Sequence, residues 1–320
     1  MDIFALLMWP IKWVIEAILA GFHMILTALG MDPGAGLTWV LAIVGLVLVI
    51  RSAMIPLTVR QIVSSRKSLE IQPEIQRIQK KYKGKKDQFS REAMSRETME
   101  LYKRTGTNPL SSCLPLLLQM PIFFGLFSVL NDASVHDKAG VGLLNQQLAD
   151  SFASAVFLGA PLNSTFITAM NNGGPWQVMV VAVIMIVLMT ASQFITQLQI
   201  VSKNMSPETK ASPMFRQQRI LLYLLPLVFA FSGVAFPLGV MFYWLVSNFW
   251  TMGQQFLVIR NMPTPGSEAA KAREERLARK GKLVVEDKDK GGDVIVVEEP
   301  KKTQRQQPIG KARAKKQSGK

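Results

Sequence analysis

The stretch LTWVLAIVGLVLVIRSAMIPL, residues 37–57, decides the fold of this chain. It is long enough to cross the hydrocarbon core of a bilayer as a helix, and Arg51 is its only charged residue. A guanidinium at the centre of a membrane helix costs roughly 2.5 to 3.5 kcal/mol even on the mildest insertion scales. The sequence therefore predicts a transmembrane helix in which snorkelling, a partner carboxylate or a water-filled cavity compensates the charge of Arg51.

Four further runs of similar length follow the first, and none of them contains Asp, Glu, Lys, Arg or His. In lipid such segments must satisfy their own backbone hydrogen bonds, and their lengths suit helices rather than the shorter strands of a barrel. The sequence thus predicts an all-α polytopic membrane protein with a five-helix transmembrane core over residues 37–259. The four further runs are residues 109–130, 176–198, 220–238 and 240–259.

Basic residues are distributed unevenly between the connections of this chain, whose net charge is +15. Residues 60–104 carry thirteen Lys or Arg and residues 199–219 carry four, whereas residues 131–175 carry only Lys138. Short loops rich in Lys and Arg remain on the cytoplasmic side of a membrane. The pattern therefore predicts an N-terminus outside and a C-terminus in the cytoplasm.

Residues 1–36 precede the first run and contain a less uniform apolar segment. Lys12, Glu16, His23 and Thr27 recur there at helical spacing, which predicts an amphipathic helix lying in the membrane interface. A sixth transmembrane helix is the alternative and would place the N-terminus in the cytoplasm. Because the first residues lack a basic start and a cleavage motif, we expect the chain to begin with mature sequence.

Two charged segments accompany the membrane core. Residues 60–107 contain two helical patterns joined by a turn at residues 84–87, which predict a helical hairpin in the cytoplasm; a solvated spacer is the alternative. Residues 260–320 are rich in Lys and Arg and contain no aromatic residue, which predicts a basic, disordered cytoplasmic tail. Within this tail, residues 283–285 and 294–297 could instead pair as a β-hairpin.

Polar side chains recur at helical spacing in four of the five runs, mostly in the half nearer to the basic connections. Side chains of this kind commonly join membrane helices through interhelical hydrogen bonds. Taken together they also match a hydrated groove that four helices share and that opens to the cytoplasm. The groove candidates are Arg51, Thr58, Ser112, Gln119, Thr190, Gln193, Gln197, Ser247, Asn248 and Thr251.

Arg51 favours the groove over simple helix packing. The five runs contain no Asp or Glu that could neutralise it. Thr58, at the cytoplasmic border, lies roughly 10 Å further along the helix, and snorkelling covers only part of that distance. A hydrated groove is therefore the stronger prediction.

Three blocks of sequence resemble the YidC/Oxa family of membrane protein insertases in their order and spacing. They are VIRSAMIPLTVRQ at residues 49–61, YKRTGTNPLSSCLPLLLQMPIFFGLF at residues 102–127 and FPLGVMFYWLVSNFWTMGQQ at residues 236–255. The resemblance extends over roughly residues 9–260. It implies a five-helix core preceded by an interfacial helix, a flexible cytoplasmic hairpin, and a hydrophilic groove that is closed outside and open to cytoplasm and lipid.

The resemblance also implies roles for individual residues. Arg51 corresponds to the groove arginine and Gln119 to a groove amide. Tyr243 and Trp244 correspond to the aromatic pair where client proteins contact the last span. Trp244 stands where the family often has tyrosine.

The resemblance implies an insertase and chaperone of the bacterial cytoplasmic membrane, with nascent membrane proteins as clients and the Sec translocon as a partner. A hydrophobic segment with a short acidic tail would enter the groove and slide into lipid, driven by burial of its apolar surface. A solute transporter or channel with the same groove is the alternative, but the spans lack coupling carboxylates and an evident internal repeat. We expect no enzymatic activity, no metal and no cofactor.

Clustered basic residues outside the spans predict a second kind of contact. Without a folded surface for reading bases, they suit the phosphates of ribosomal RNA or the headgroups of anionic lipids rather than a DNA site. The candidates are Lys80, Lys81, Lys83, Lys85 and Lys86 in the hairpin and Lys311, Arg313, Lys315 and Lys316 in the tail.

Overall fold

The computed structural model describes residues 3–85, 87–107, 114–133, 139–211, 220, 224, 226–287 and 293–298. Over these residues the chain is mainly helical, with two small antiparallel sheets. Three described helical segments are long and apolar enough to cross a membrane, namely Met8–Ala28, Gly36–Ala53 and Trp176–Lys203. The prediction of an all-α membrane protein is confirmed, and the count of five spans stays a prediction.

The helices follow one another along the chain with short connections. They are α1 Ile3–Ala28, α2 Gly36–Ala53, α3 Ile55–Glu70, α4 Gln72–Lys81, α5 Gln88–Thr105, α6 Leu114–Asn131, α7 Gln146–Ser154, α8 Phe166–Asn171, α9 Trp176–Leu198, α10 Pro207–Ala211, α11 with residues 226–233 described, α12 Leu238–Asn261 and α13 Glu268–Ala278. A π-helix, Gln199–Lys203, continues α9, and the strands are β1 Val156–Phe157, β2 Ala160–Pro161, β3 Lys282–Asp287 and β4 Asp293–Glu298.

The first apolar run is not one continuous helix. It was predicted over residues 37–57, but α2 ends at Ala53 and α3 begins after Met54. Pro56 accounts for the break, because proline has no N–H to donate and its ring clashes with the carbonyl of the preceding turn. Arg51 consequently lies in the last turn of α2.

Helix α1 packs on α2 and α6, and part of its polar stripe is buried. The ring of Phe22 lies against Gly45 of α2, and Ile11 lies against Gly125 of α6. Glu16 and His23, two members of the stripe that predicted an interfacial helix, are both buried. The amphipathic pattern of α1 thus reflects polar contacts within the protein at these two positions.

Glu16 fastens the loop that follows α6 onto α1. Its carboxylate accepts hydrogen bonds from the backbone N–H groups of Val141 at 3.0 Å and Gly142 at 2.6 Å. A Cβ atom at Gly140 would lie 2.2 Å from the same carboxylate, so only glycine permits this close approach. The loop is therefore held by a buried acceptor with two donors.

Replacing Glu16 by Ala should lower the free energy of unfolding by about 1 to 3 kcal/mol, because two buried N–H groups lose their acceptor. Thermal unfolding in detergent and proteolysis of residues 139–145 measure the effect. Asp132→Asn is the control: Asp132 pairs with Lys12 at 3.6 Å with 40% of its side chain exposed, so its loss should cost less than about 1 kcal/mol. Wild-type stability of Glu16→Ala would contradict the fastening role.

A second set of contacts ties α1, α2 and α7 together at the same end of the molecule. His23 Nε2 lies 2.9 Å from the carbonyl oxygen of Pro33, and its ring stacks on Trp39 with centroids 4.0 Å apart. Trp39 Nε1 donates to Ser151 Oγ at 3.2 Å, and the ring of Phe152 meets Trp39 edge-on. Aromatic and polar contacts together fix how these three helices pack.

The buried apolar core occupies one end of the helix assembly. On α2 the buried residues lie between Gly36 and Val47, and on α12 they lie between Leu238 and Tyr243 with Ser247 and Ile259 beyond. The start of α12 is fixed by Gly239, whose N–H donates to the carbonyl oxygen of Leu162 at 2.9 Å. Packing is therefore tight at one end, and Arg51 lies just past its limit.

Helices α4 and α5 form an antiparallel hairpin, as the sequence predicted. Leu101 of α5 is buried together with Ile75 of α4. Ion pairs of 2.9 Å join Lys81 to Glu97 and Arg104 to Glu74 along the pair. The hydrogen bond from Lys81 holds the pKa of the Glu97 carboxyl below its usual value, although both groups are exposed.

The chain divides into two compact units, residues 1–270 and 271–320. The prediction of a disordered tail was wrong where the tail is described, because α13 is helical and β3 pairs with β4, Val284 facing Val296. β-Branched residues favour strands, and the tail's average composition hides these two short runs. The alternative of a β-hairpin is the one observed. Residues 299–320, with Lys311, Arg313, Lys315 and Lys316, lie outside the described residues.

Candidate functional site

Arg51 joins helices α2, α6 and α12 at the end of the packed core. Its Nη1 donates to Gln119 Oε1 of α6 at 3.4 Å, and its Nη2 donates to Ser247 Oγ of α12. Arg51 and Gln119 are only partly buried, whereas Ser247 is buried. We call these three residues the Arg51 layer.

The partners of Arg51 in this layer are neutral. A hydroxyl and an amide oxygen satisfy two of the guanidinium N–H groups, which lowers the cost of removing the charge from water. They do not cancel the charge, as a carboxylate would. The Arg51 layer therefore presents a positive charge that an incoming anionic group could neutralise.

Other polar residues of α12 surround the layer. Tyr243 is buried one turn before Ser247 and interacts with both Ser247 and the charge of Arg51. The Thr251 hydroxyl donates to the backbone oxygen of Ser247 at 2.9 Å. Asn248 is half-buried, and its Nδ2 has no hydrogen-bond partner among the residues that the structure describes.

An aromatic cluster lies one helical turn from the Arg51 layer, on the side of the packed core. Trp244 of α12 stacks on Phe123 of α6 with ring centroids 5.5 Å apart. Phe229 and Phe236 meet Trp244 edge-on at 5.4 and 5.0 Å. Trp244 therefore packs among rings, and the aromatic cluster separates the Arg51 layer from the core end.

The polar residues of α9 are distributed differently from those of α12. Thr190 and Gln193 line a small crevice with Phe229 and Trp244 rather than with Arg51. Gln197 is half-buried. Ser112, the remaining groove candidate on the second run, lies outside the described residues.

Sequence reasoning missed two buried hydroxyls on α9. Ser192 and Thr196 are 3% and 8% exposed, and each donates to a carbonyl oxygen of its own helix. They lie on the face next to the one that carries the predicted Gln193 and Gln197. Their spacing of four residues was the available signal, but it is equally typical of packing residues.

An apolar wedge opens beyond the Arg51 layer, where α3 and α12 separate. Its volume is about 520 Å³, and Thr58, which donates to the Met54 carbonyl oxygen at 3.0 Å, lies on its wall. The sequence did not single out this feature, although Arg51, Ile55, Thr58 and Ile62 follow one another at helical spacing. The other residues that line it are Ile55, Val59 and Ile62 of α3 and Phe249, Trp250, Gly253, Gln254, Leu257, Val258, Asn261 and Met262 on the side of α12.

The family described as 60Kd inner membrane protein matches residues 31–265, which include the whole Arg51 layer, the aromatic cluster and the wedge. The chain belongs to this family. A membrane protein insertase YidC of Tropheryma whipplei (strain Twist) is 43% identical over 312 residues, covering 96% of this chain and 95% of that protein. One of Streptomyces avermitilis is 44% identical over 284 residues, covering 87% and 63%. One of Bifidobacterium longum (strain NCC 2705) is 34% identical over 320 residues, covering 96% and 94%.

The match to the 60Kd inner membrane protein family covers only part of the chain. The helices that carry the Arg51 layer lie within the matched residues, whereas all of α1 and all of α13 lie outside them. The resemblance inferred from the three sequence blocks is thus confirmed at the level of the family. The roles of single groove residues stay predictions.

The basic residues predicted to contact ribosome or lipid are described only in part. In the hairpin, Lys81 and Lys85 lie 5.2 and 5.7 Å from the ring centroid of Tyr82, and Lys81 also pairs with Glu97. Lys80 and Lys83 are exposed, and Lys86 lies outside the described residues. The end of the hairpin therefore carries several cations, of which one has a carboxylate partner in the structure.

Proposed function

We propose that this protein inserts nascent membrane proteins into the bacterial cytoplasmic membrane. Its membership of the 60Kd inner membrane protein family supports this function, as do relatives named membrane protein insertase. The observation that carries it is the position of Arg51, held by Gln119 and Ser247 where the packed core ends.

In this proposal, a charged residue in the groove and an apolar environment act on different parts of the client. The acidic or polar tail of a client approaches Arg51, so that it has a shorter apolar distance to cross. The hydrophobic segment of the client then moves sideways into lipid, and burial of its apolar surface in the bilayer drives the step. Neither a nucleotide nor a covalent intermediate enters this scheme.

The open end of the groove faces the cytoplasm in this proposal. The helices separate on the side where α2 continues into α3 and the strongly basic hairpin, and basic loops stay on the cytoplasmic side. The core end with its aromatic cluster then faces outward and closes the groove. The C-terminus lies in the cytoplasm, and we place the N-terminus outside.

Insertion itself is tested with purified protein in liposomes and a single-span client that has a short acidic tail. Proteoliposomes should protect the client's tail from protease, whereas empty liposomes should not. A flux assay with the same vesicles addresses the alternative of a solute transporter. Client protection no greater than in empty liposomes would reject the proposed function.

We further propose the ribosome, the Sec translocon and anionic lipids as partners. The basic hairpin and residues 299–320, which contain eight Lys or Arg, supply the charge for contacts with phosphate groups. The Sec translocon is proposed only from the resemblance to the YidC/Oxa family.

Removing residues 299–320 should weaken ribosome binding roughly tenfold or more at low salt. Each contact between a basic residue and a phosphate adds to the affinity, and this contribution is largest when the salt concentration is low. Co-sedimentation with ribosomes at several salt concentrations measures the loss. A full-length variant with these eight basic residues replaced by Gln is the matched control and should behave like the truncation. Unchanged binding by both would remove the tail from ribosome contact, and binding of the wild type to anionic liposomes alone would assign it to lipid.

A further inference from the structure

The small hairpin of β1 and β2 lies where two membrane helices begin. Leu158 and Gly159 form the turn between its strands. At its base, Val156 forms a β-bridge with Ala35, the residue before α2. At its turn, a Cβ atom on Gly159 would lie 3.1 Å from the side chain of Gln177 in the first turn of α9. Because α2 and α9 are both long and apolar enough to span a membrane, the hairpin lies at the membrane surface where they enter.

This membrane surface is opposite the basic hairpin of α4 and α5. Helix α2 starts at Gly36, and the chain then continues through α3 into the basic hairpin. Residues 139–175, which include α7, β1, β2 and α8, lie between α6 and α9, and we call them the outer cap. Asp150 is the only charged residue of the outer cap, although 18% of the whole chain is charged. This composition favours a location in contact with lipid over one surrounded by water.

Two apolar side chains are exposed at the turn of the hairpin. Leu158 has 73% of its surface accessible, and Trp176, the first residue of α9, has 64%. The preceding residue of the hairpin, Phe157, instead packs edge-on against Phe242 of α12 with ring centroids 5.1 Å apart. The hairpin therefore packs one apolar side chain against the protein and exposes the next. Tryptophan prefers the headgroup level of a bilayer, so Trp176 marks the border beside which Leu158 lies.

The backbone of Leu158 is unusual for a leucine. Its φ is +53°, and every other positive φ in the part of the chain that the structure describes belongs to a glycine. This left-handed conformation is unfavourable for a residue with a Cβ atom, and two-residue hairpin turns are usually built from Asn and Gly. A largely exposed leucine adds little to the packing of the fold. A contact with a molecule outside the chain gives this side chain a role.

We propose that Leu158 and Trp176 insert together into the leaflet opposite the basic hairpin, at the boundary between headgroups and acyl chains. The attachment of the hairpin to the starts of α2 and α9 places its turn at this boundary, which favours lipid over another protein as the partner. The contact fixes the height of α2 and α9 in the bilayer. It goes beyond the proposed function, because it does not depend on what the protein inserts.

Fluorescence quenching from position 158 tests the lipid contact in the full-length protein. Cys113 is the only cysteine, so single labelled cysteines can be introduced in a Cys113→Ala background. The protein is placed in liposomes of phosphatidylethanolamine and phosphatidylglycerol with a label at 158 or at Gln147, an exposed polar residue of the same outer cap. Lipids that carry a nitroxide near the headgroup should quench the label at 158 roughly threefold more than the label at 147, since interfacial residues lie among the upper acyl carbons.

Aqueous iodide gives the complementary measurement. It should quench the label at 147 and leave most of the fluorescence at 158. A label at Val187, exposed within the α9 span, is the depth control and should respond best to lipids with a nitroxide near the chain end. Iodide quenching at 158 as strong as at 147 would overturn the proposal. Shielding of 158 from both iodide and nitroxide lipids would overturn it too and would indicate a protein as the partner.

Two substitutions of Leu158 separate the lipid contact from the backbone conformation. Leu158→Ser and Leu158→Phe both keep a Cβ atom in the left-handed position, but only phenylalanine remains apolar. In proteoliposomes, backbone amides of the β1–β2 turn should exchange hydrogen roughly tenfold faster in Leu158→Ser, the factor expected from losing the burial of one leucine-sized side chain. Leu158→Phe should exchange like the wild type. Equal exchange by the serine variant and the wild type would overturn the anchoring role of Leu158.

Discussion

Replacing Arg51 by Ala should reduce the insertion of clients with acidic tails roughly tenfold or more, since truncating one partner of a partly buried charge contact costs at least a couple of kcal/mol. The reason is that the Arg51 layer would keep only the neutral groups of Gln119 and Ser247. Proteoliposomes with equal amounts of each variant and a single-span client provide the measurement.

Arg51→Lys should restore insertion in part. Lysine keeps the charge, but it is a point charge without the planar fork that reaches Gln119 and Ser247 together. A client with a neutral tail is the second control and should depend less on Arg51. Normal insertion of acidic clients by Arg51→Ala would refute a general requirement for the charge.

Replacing Gly36 by Ala should destabilise the fold by about 3 kcal/mol, near the upper range for overpacked sites. A Cβ atom at this position would lie 2.4 Å from the carbonyl carbon and oxygen of Val156 and 2.6 Å from the backbone nitrogen of Phe157. Backbone atoms cannot rotate away as the end of a side chain can, so α2 and β1 would have to separate. Thermal unfolding in detergent should show a clear loss of stability.

Gly21→Ala provides the matched control for Gly36→Ala. Gly21 has no atom within 4 Å of an added Cβ, so alanine there should increase helix stability by about 0.5 to 1 kcal/mol. The two substitutions are chemically identical and differ only in their surroundings. Equal melting temperatures for both variants would contradict the close contact between Gly36 and β1.

Two of the apolar runs correspond to described helices. The run at residues 176–198 coincides with α9, and the run at residues 240–259 lies within α12. Length and uninterrupted hydropathy suffice for these helices, because the bilayer fixes both. The helix break at Met54 was not predicted, although the run contains Pro56, a residue that breaks helices.

Contacts between helices explain which features of the site could not be predicted from the sequence. Helical spacing placed Arg51, Gln119 and Ser247 among the groove residues, and the structure joins these three directly. Spacing on one helix does not reveal which neighbour that helix faces. Thr190 and Gln193 consequently lie at the aromatic cluster instead, and the wedge between α3 and α12 depends on an angle between helices that no local pattern encodes.

The tail shows that average composition does not always predict whether a segment is disordered. Residues 260–320 carry too much charge and too few apolar residues to predict a packed core. Strand pairing between β3 and β4 needs only two short runs of β-branched residues in register. Local pairing can thus form in a segment whose average composition predicts disorder.

Photocrosslinking from position 119 to a stalled client with an acidic tail tests the central claim most directly. The Arg51 layer is where the client's polar tail should lie, so a probe at 119 should react with tail residues in the wild-type protein and lose most of that reaction in Arg51→Ala. Reaction confined to the apolar segment, or a tail reaction that Arg51→Ala leaves unchanged, would contradict the account.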